Sequence, residues 1–363
     1  QTQAWGNPSS LHSFGIAASE ALERTRVEIG ALLGADPDEV LITSGATESI
    51  HLGIRGLASS FPPGRIVISA VEHPAVTAAA QALTPLGWHV SVAPVDSQGL
   101  IQLDRFEELL RPPTRLVSVI WGQSEVGTLQ PLQTIGTLCR RYGIPFHTDA
   151  TQVISQALPD WNSLPVDLLT ASAHKCGGPR GVGLLLIRRA WKQQLNALLT
   201  GGGQENNLRS GTESAVLVAG MAEALSQIQR CDVDGLPDSG DGIRRIRDEL
   251  ELQLCRTAGV ATIGQPHQRL PHHLALVLRD RSGQPLSGRR MVRVLDQEGL
   301  AVSSGSACSS GRDTDSSVLA AMTIPREMRR SGLRLSLGFW NTSNQIESIV
   351  ERFERALLAC AES

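Results

Sequence analysis

A lysine near the middle of the chain has neighbours that favour covalent catalysis. Lys175 lies in VDLLTASAHKCGGPRGVG, residues 166–183, after a predicted buried strand and before a turn rich in glycine and proline. Burial at the end of such a strand can lower the pKa of the lysine amine and make it a nucleophile. Ser172 and His174 flank it with donors suited to a phosphate. A lysine without such neighbours is by default an ordinary surface residue.

Polar residues follow other predicted strands in the same way. His73 and Asp149 each lie at the end of a strand, and Gln152 is one short step beyond Asp149. The turn at 44–47, Ser-Gly-Ala-Thr, joins a strand to a helix and leaves backbone N–H groups for an anion. A carboxylate, an imidazole, a lysine and a phosphate cradle are what pyridoxal phosphate requires.

Alternating strand-like and helical segments must position these residues. Strands are predicted at 40–43, 65–71, 89–95, 115–121, 145–150, 167–173 and 182–187. Helices are predicted at 17–33, 47–57, 75–83, 103–110 and 132–142. This order predicts an α/β fold with a seven-stranded, mainly parallel sheet and a ligand site at the carboxyl ends of the strands. No GxGxxG follows the first strand, so a dinucleotide is not favoured.

A loop and a polar stretch separate this part from the rest of the chain. The loop GGGQENNLRSGTES, residues 201–214, contains Thr212 and is expected to be flexible enough to approach a ligand, although a plain connector has the same composition. We place the domain boundary in CDVDGLPDSGDG, giving a large domain at 1–232 and a smaller α+β domain at 233–363. The smaller domain is predicted to have helices at 243–257, 287–298 and 343–359 and strands at 274–278 and 333–337.

One cysteine has surroundings that predict reactivity. Cys308 lies in SSGSACSSG, residues 303–311, where serine, glycine and alanine offer little packing for a buried thiol. Cys176 follows the lysine, but strand alternation turns its side chain away from the cofactor face. The remaining cysteines are expected to be structural: Cys139, Cys231, Cys255 and Cys360.

Composition excludes several classes of protein. The 363 residues are 41% hydrophobic and 19% charged, which is typical of a globular enzyme with one or two domains. A net charge of −3 argues against nucleic acid and anionic membrane as partners. No apolar run is long enough to predict a membrane span, and the first residues of the sequence do not have the pattern of a signal peptide. The six scattered cysteines lack zinc spacing, so we expect no metal site and a reducing, cytoplasmic setting.

Eight motifs together resemble the cysteine desulfurases, which are fold-type I, class V aminotransferase-like enzymes that use pyridoxal phosphate. They follow the family's order over nearly the whole chain, and SSGSAC resembles the IscS/NifS branch rather than the RxGHHC type of the SufS branch. The motifs are GNPSSLH (6–12), TSGATES (43–49), EHPAV (72–76), HTDATQ (147–152), SAHKCGGPRGVG (172–183), GGGQENNLRSGTES (201–214), SSGSAC (303–308) and LRLSLG (333–338).

The resemblance implies a role for each site residue. Lys175 would form the Schiff base, Asp149 would bind the pyridinium nitrogen, and His73 would stack on the ring and transfer protons. Gln152 would bond the ring hydroxyl, and Cys308 would carry sulfur as a persulfide. Arg334 would bind the substrate carboxylate. The phosphate would be held by Ala46, Thr47, Ser172 and His174, and by Thr212 from the other subunit of a homodimer.

The implied reaction converts L-cysteine to L-alanine and passes the sulfur to an acceptor, either an iron–sulfur scaffold or a sulfur carrier protein. Two other interpretations stay open from the residues. One is a related lyase, acting on selenocysteine or by β-elimination from cystine or cysteine. The other is a weakly active scaffold that binds iron–sulfur assembly partners.

The chain departs from the family pattern at three places. Gln123-Ser124-Glu125 stands where the family has Asn-Asn-Glu, so the substrate or cofactor contact expected at Ser124 is lost, bridged by water or taken over by Gln123. Asn206-Asn207 replaces Arg-Gly and removes a charge near the site. A segment resembling YLDNAATTP, which precedes these motifs in the family, is absent here, and we interpret the chain as a truncated or proteolysed form.

Overall fold

The computed structural model describes residues 5–228, 230–231, 242–305 and 315–361, and it divides into two compact units. The first unit comprises Gln1–Ala93, Leu103–Gly122 and Pro131–Pro237, and the second comprises Pro94–Gln102, Gln123–Gln130 and Asp238–Ser363. The two short segments that join the second unit were not indicated by the sequence. The predicted boundary at 232–233 lies outside the described residues and stays a prediction.

The first unit is built on a seven-stranded sheet, as the strand pattern predicts. The strands lie in the order β1-β8-β7-β5-β4-β2-β3; β8 is antiparallel to both its neighbours and the other neighbouring pairs are parallel. A second, two-stranded sheet pairs β6 with β9. The strands are β1 (Val40–Thr43), β2 (Arg65–Ser69), β3 (His89–Ala93), β4 (Thr114–Ser118), β5 (Phe146–Asp149), β6 (Leu158–Pro159), β7 (Leu168–Ser172), β8 (Gly183–Ile187) and β9 (Arg230–Cys231).

Helices follow most of these strands. The second helix continues as a π-helix over Leu52–Gly56, so the predicted helix at 47–57 is present in two forms. The helices are α1 (Ser13–Leu33), α2 (Ala46–His51), α3 (Pro74–Gln81), α4 (Leu103–Leu109), α5 (Leu132–Arg141), α6 (Arg189–Lys192) and α7 (Ala215–Ser226). Among the described helices, none combines the length and the apolar character of a membrane span.

Burial explains the composition of the central strands. Every residue of β5, β7 and β8 is buried, which is why β8 is a continuous apolar run rather than an alternating one, while β5 and β7 carry their polar residues mainly towards their carboxyl ends. Their register also aligns the strand ends, because Gly183 pairs with both Thr43 and Ser172, and Asp149 pairs with Thr170. The carboxyl ends of β1, β5 and β7 therefore lie along the same edge.

The second unit has the α+β form that the sequence predicts. A four-stranded antiparallel sheet in the order β10-β11-β13-β12 packs its leucine-rich face with Leu250, Met291 and Phe353. Its strands are β10 (Val260–Thr262), β11 (His273–Leu278), β12 (Ser303–Ser304) and β13 (Gly332–Ser336). Its helices are α8 (Ile243–Leu254), α9 (Gly288–Gln297), α10 (Ser317–Ala321) and α11 (Ile346–Ala361).

A buried carboxyl group ties two strand ends of the first unit together. Glu72 Oε1 accepts hydrogen bonds from Ser69 Oγ at 2.6 Å, at the end of β2, and from Ile120 N at 2.8 Å, just beyond β4. Burial raises the pKa of Glu72 to about 8, and the nearby negative charge of Asp149 adds to the rise. Because Glu72 immediately precedes His73, this tie fixes where His73 leaves the sheet.

We expect the stability of Glu72→Gln relative to the parent, both free of cofactor, to increase as the pH rises. The glutamine oxygen keeps both acceptor roles, but it never pays the cost of a buried charge. The ordinary carboxyl pKa is 4.5 and the folded one about 8, so the parent loses stability through this window, at about 1.4 kcal/mol per pKa unit. Urea unfolding at about pH 5 and pH 8.5 measures the difference between the two proteins.

Glu48→Gln is the matched control for this prediction. Arg209 Nε lies 2.7 Å from Glu48 Oε1, and hydrogen bonds from Arg209 and Ser44 outweigh burial and lower the pKa of Glu48. The ionised Glu48 carboxylate stabilises the fold above its ordinary pKa, and this stabilisation disappears in acid. Glu48→Gln should therefore be destabilised near neutral pH. A Glu72→Gln difference that is independent of pH would contradict the assignment of Glu72 as a buried, titrating acid.

Candidate active site

The turn after β1 lies beside the end of β7 in the first unit. Gly45 has φ 151°, and a Cβ placed on it would lie 3.6 Å from Ser172 Oγ. Ser172 Oγ in turn lies 2.8 Å from His174 Nδ1. Gly45 caps α2 without a side-chain hydrogen bond, so the backbone N–H groups of Ala46 and Thr47 face no capping side chain. These groups are the donors that an anion at this edge would meet.

Asp149 is the buried acid of the same edge. It ends β5, is 5% exposed, and its Oδ1 accepts a hydrogen bond from Thr151 N at 3.0 Å. Gln152, half-buried, follows in the turn after Asp149. The strand pairing of Asp149 with Thr170 places this carboxylate beside the strand that leads to Ser172.

His73 has a defined ring orientation. It is half-buried and caps α3, and its Nδ1 accepts a hydrogen bond from Ala75 N at 3.1 Å. Since Nδ1 is the acceptor, the neutral ring carries its proton on Nε2. Nε2 is therefore the atom through which His73 can exchange a proton.

Lys175 ends the 3₁₀ turn Ala173–Lys175 that follows β7. Its side chain is exposed, so the chain alone does not bury it as the sequence predicts. Thr47, His174 and Thr212 are also exposed, and Ala46 is half-buried. The chain contains only one other lysine, Lys192, which donates to the backbone oxygen of Asp38.

The loop at 201–214 is anchored, whereas its composition predicts flexibility. Glu205 is buried and binds Arg26 of α1 through two hydrogen bonds of 2.6 and 2.9 Å, and it also accepts from Ile42 N at 3.0 Å. Glu205, Asn206 and Asn207 all have positive φ, from 49° to 66°. Asparagine tolerates this left-handed region well, so it can replace the family's glycine at 207 without changing the backbone. Arg26 was missed because a single arginine on a helix has no motif.

In the second unit, the backbone of Ser124 meets Arg334. Arg334 Nη1 donates to the Ser124 carbonyl oxygen at 2.9 Å, and His273 Nε2 lies 3.1 Å from the same oxygen. Burial holds the pKa of His273 well below its usual value, so the neutral ring donates from Nε2 to this carbonyl. Gln123 uses its amide oxygen on the N–H groups of Glu125 and Val126, which commits that oxygen to the turn.

The cysteines differ in accessibility. Cys139 and Cys360 are buried, Cys176 is half-buried with its thiol directed to Ala173 O, and Cys255 is exposed; all four are free thiols. Burial raises the pKa of Cys139, which suits the structural role expected of it. Cys308 and the side chain of Cys231 lie outside the described residues. Across the described part of the chain, no three His, Cys, Asp or Glu side chains are placed to hold a metal ion.

Comparison with known proteins gives one family over almost the full length. Residues 2–349 match the family Aminotransferase class-V. Cysteine desulfurase IscS of Methylobacillus flagellatus is 37% identical over 96% of this chain and 85% of its own length, and IscS of Methylococcus capsulatus is 38% identical over 95% and 84%.

Solved structures agree with the sequence comparison. A NifS-like protein has a TM-score of 0.87 at 30% identity, covering 98% of this chain and 92% of its own. A structure of SspA in complex with cysteine has a TM-score of 0.80 at 29% identity, covering 94% and 93%. The chain therefore belongs to the class-V aminotransferase family and, within it, to the cysteine desulfurases.

Proposed function

We propose that this chain uses pyridoxal phosphate to convert L-cysteine to L-alanine and transfers the sulfur to Cys308. The observation that carries the proposal is the strand register, which sets the Gly45 turn, Asp149 and the Ser172–Lys175 segment along one edge of the sheet. Similarity to cysteine desulfurases over nearly the whole chain supports the same reaction.

The residues of this edge fit pyridoxal phosphate. Uncapped N–H groups at Ala46 and Thr47, with the hydroxyl of Ser172 and the ring of His174, suit a phosphate dianion. Asp149, nearly buried, is an acceptor for a protonated ring nitrogen, and Gln152 lies just beyond it. When bound through Lys175, the cofactor supplies an electron sink for a carbanion at the substrate Cα.

Each remaining role in the proposed reaction is assigned to a residue of the chain. Lys175 would hold the cofactor through its amine, and His73 would accept or donate a proton at Nε2. Arg334 would bind the substrate carboxylate. The Cys308 thiolate attacks the substrate sulfur, so an S–S bond forms while the C–S bond breaks. The thiol hydrogen ends on alanine, and the products are L-alanine and a Cys308 persulfide.

A homodimer and a separate sulfur acceptor belong to the proposal. Thr212 is exposed and close in sequence to the anchored residue Glu205, which leaves it available to a second copy of the chain. The acceptor would be an iron–sulfur scaffold or a sulfur carrier protein. A reducing, cytoplasmic setting is consistent with the four described free thiols.

We expect Lys175→Ala to abolish covalent attachment of pyridoxal phosphate while leaving the fold intact, because the side chain is exposed. Borohydride reduction followed by peptide mapping locates the label. Lys192→Ala is the control, since the chain has only these two lysines, and it should still be labelled. A pyridoxyl group on Lys192 in the parent would contradict the assignment.

We expect Thr212→Val to weaken cofactor retention, since one hydrogen bond to a charged group is worth about 1.5–3 kcal/mol. Fluorescence titration with pyridoxal phosphate measures the affinity of the variant for the cofactor. The control is Thr262→Val, a substitution at an exposed threonine of the second unit. Co-expression with the Lys175→Ala chain tests whether the residue acts across subunits. Each heterodimer would then contain one site with both native residues, and unrestored retention would exclude the partner role.

We expect Cys308→Ser to bind cysteine and change the visible spectrum of the cofactor, but to form no persulfide and almost no alanine. A serine hydroxyl is a far poorer nucleophile than a thiolate near neutral pH and cannot hold sulfur as a persulfide. Mass spectrometry of residue 308 and assays of alanine, pyruvate and ammonia measure the outcome. Pyruvate and ammonia from the parent protein would favour β-elimination, and alanine formation at the parent rate by the variant would exclude Cys308.

A further inference from the structure

Glu125 in the second unit is bound by a serine whose hydroxyl has a fixed direction. Ser316 Oγ lies 2.6 Å from Glu125 Oε2. The same Oγ caps α10 by accepting a hydrogen bond from Leu319 N at 3.1 Å. Ser316 is 2% exposed, and because one of its lone pairs serves the helix, its single hydrogen points to the Glu125 carboxylate.

Glu125 also interacts electrostatically with Arg334, the residue expected to bind the substrate carboxylate. Burial raises the pKa of Glu125 to about 7, against the hydrogen bond of Ser316 and the positive charge of Arg334. Arg334 on β13 is the charged group that acts on it, since the buried ring of His273 on β11 stays neutral. Glu125 is thus ionised or neutral according to pH in the range where an enzyme works, and each form gives Arg334 a different electrostatic environment.

The Glu125 carboxylate is close to residues on both sides of the segment that carries Cys308. Strand β12 precedes that segment, and its Ser303 pairs directly with Arg334. Gly305 follows; its N–H donates to Gly332 O at 3.1 Å, and a Cβ placed on it would lie 3.5 Å from Glu125 Oε2. Ser316 is on the other side of the segment, so Glu125 is adjacent to the chain before and after residues 306–314.

We propose that Glu125 is a positioning residue that couples the charge of Arg334 to the two ends of the segment carrying Cys308, an inference that rests on the proposed function. The ionised carboxylate competes with a substrate carboxylate for the charge of Arg334. It also holds Ser316, and through Ser316 it fixes where the segment rejoins the fold at α10. Neither effect requires Glu125 to touch the reacting atoms.

This proposal predicts a pH-dependent affinity for amino-acid carboxylates. With pyridoxal phosphate bound, L-alanine should bind the parent and Glu125→Gln equally at about pH 5.5, where Glu125 is neutral. At about pH 8.5 the variant should bind roughly fivefold more tightly, because the competing charge is absent. The visible spectrum of the bound cofactor measures the affinity of each protein for L-alanine. At a given pH, the titration of alanine affects the parent and the variant equally, so it cancels in the ratio of their affinities.

Three further variants separate this role from simple structural support. Ser316→Ala removes a hydrogen bond that favours the charged form, so the pH midpoint of the parent's affinity change should move upward, and persulfide formation on Cys308 should slow several-fold. Ser287→Ala removes the cap of α9 in the same unit and should leave the pH midpoint and the rate of persulfide formation unchanged. Asp315→Asn removes a half-buried partner of Arg330 at the same chain end and should not alter the pH profile.

An affinity ratio that is the same at both pH values, or a midpoint that Ser316→Ala does not move, would overturn the proposal. Failure of the proposed function looks different, because the parent would then bind no pyridoxal phosphate or form no persulfide. In that case the cofactor-free proteins still test Glu125. The stability gained by Glu125→Gln should grow between about pH 4.5 and pH 7, since its folded pKa is raised.

Discussion

The hydrogen-bond register of the seven-stranded sheet is the constraint on which the rest of the first unit depends. Parallel strands bring their carboxyl ends to one edge, but only the register decides which residues face each other there. The antiparallel strand β8 performs this alignment by pairing Gly183 with the last residues of both β1 and β7. The Gly45 turn can lie against β8 because Gly183 carries no side chain. A Cβ on Gly183 would lie 2.6 Å from Gly45 Cα, a distance that real structures do not tolerate.

Much of this arrangement could be predicted from the sequence, because strand ends, glycine turns and apolar runs are local signals. All seven strands of the main sheet and the helices between them were found within a few residues of their observed bounds. The positions of Asp149, His73 and Ser172 follow from the same pattern. The assignment of short segments 94–102 and 123–130 to the second unit could not be predicted, because it depends on contacts distant in sequence.

Two buried acids and one half-buried acid show why the remaining details cannot be obtained by sequence analysis. Glu72, Glu125 and Glu205 each accept hydrogen bonds from groups that are remote along the chain: Ile120, Ser316 and Arg26, respectively. Nothing in the local sequence distinguishes such a glutamate from a solvated one. Their environments also act in different ways. A guanidinium compensates Glu205 directly, whereas desolvation dominates at Glu72 and Glu125 and leaves their protons titratable near neutral pH.

The scarcity of lysine has a practical consequence for finding partners of this protein. Arginine supplies almost all of the chain's positive charge and does not react with amine-directed reagents at ordinary pH. Of the two lysines, Lys192 is engaged with Asp38 and Lys175 is exposed at the sheet edge. Apart from a terminal amine and Lys192, succinimidyl cross-linkers and amine-coupled sensor surfaces would therefore attach the protein through Lys175, the residue that we propose holds the cofactor. A fused affinity tag leaves Lys175 unmodified, so capture experiments designed in this way keep the proposed site available.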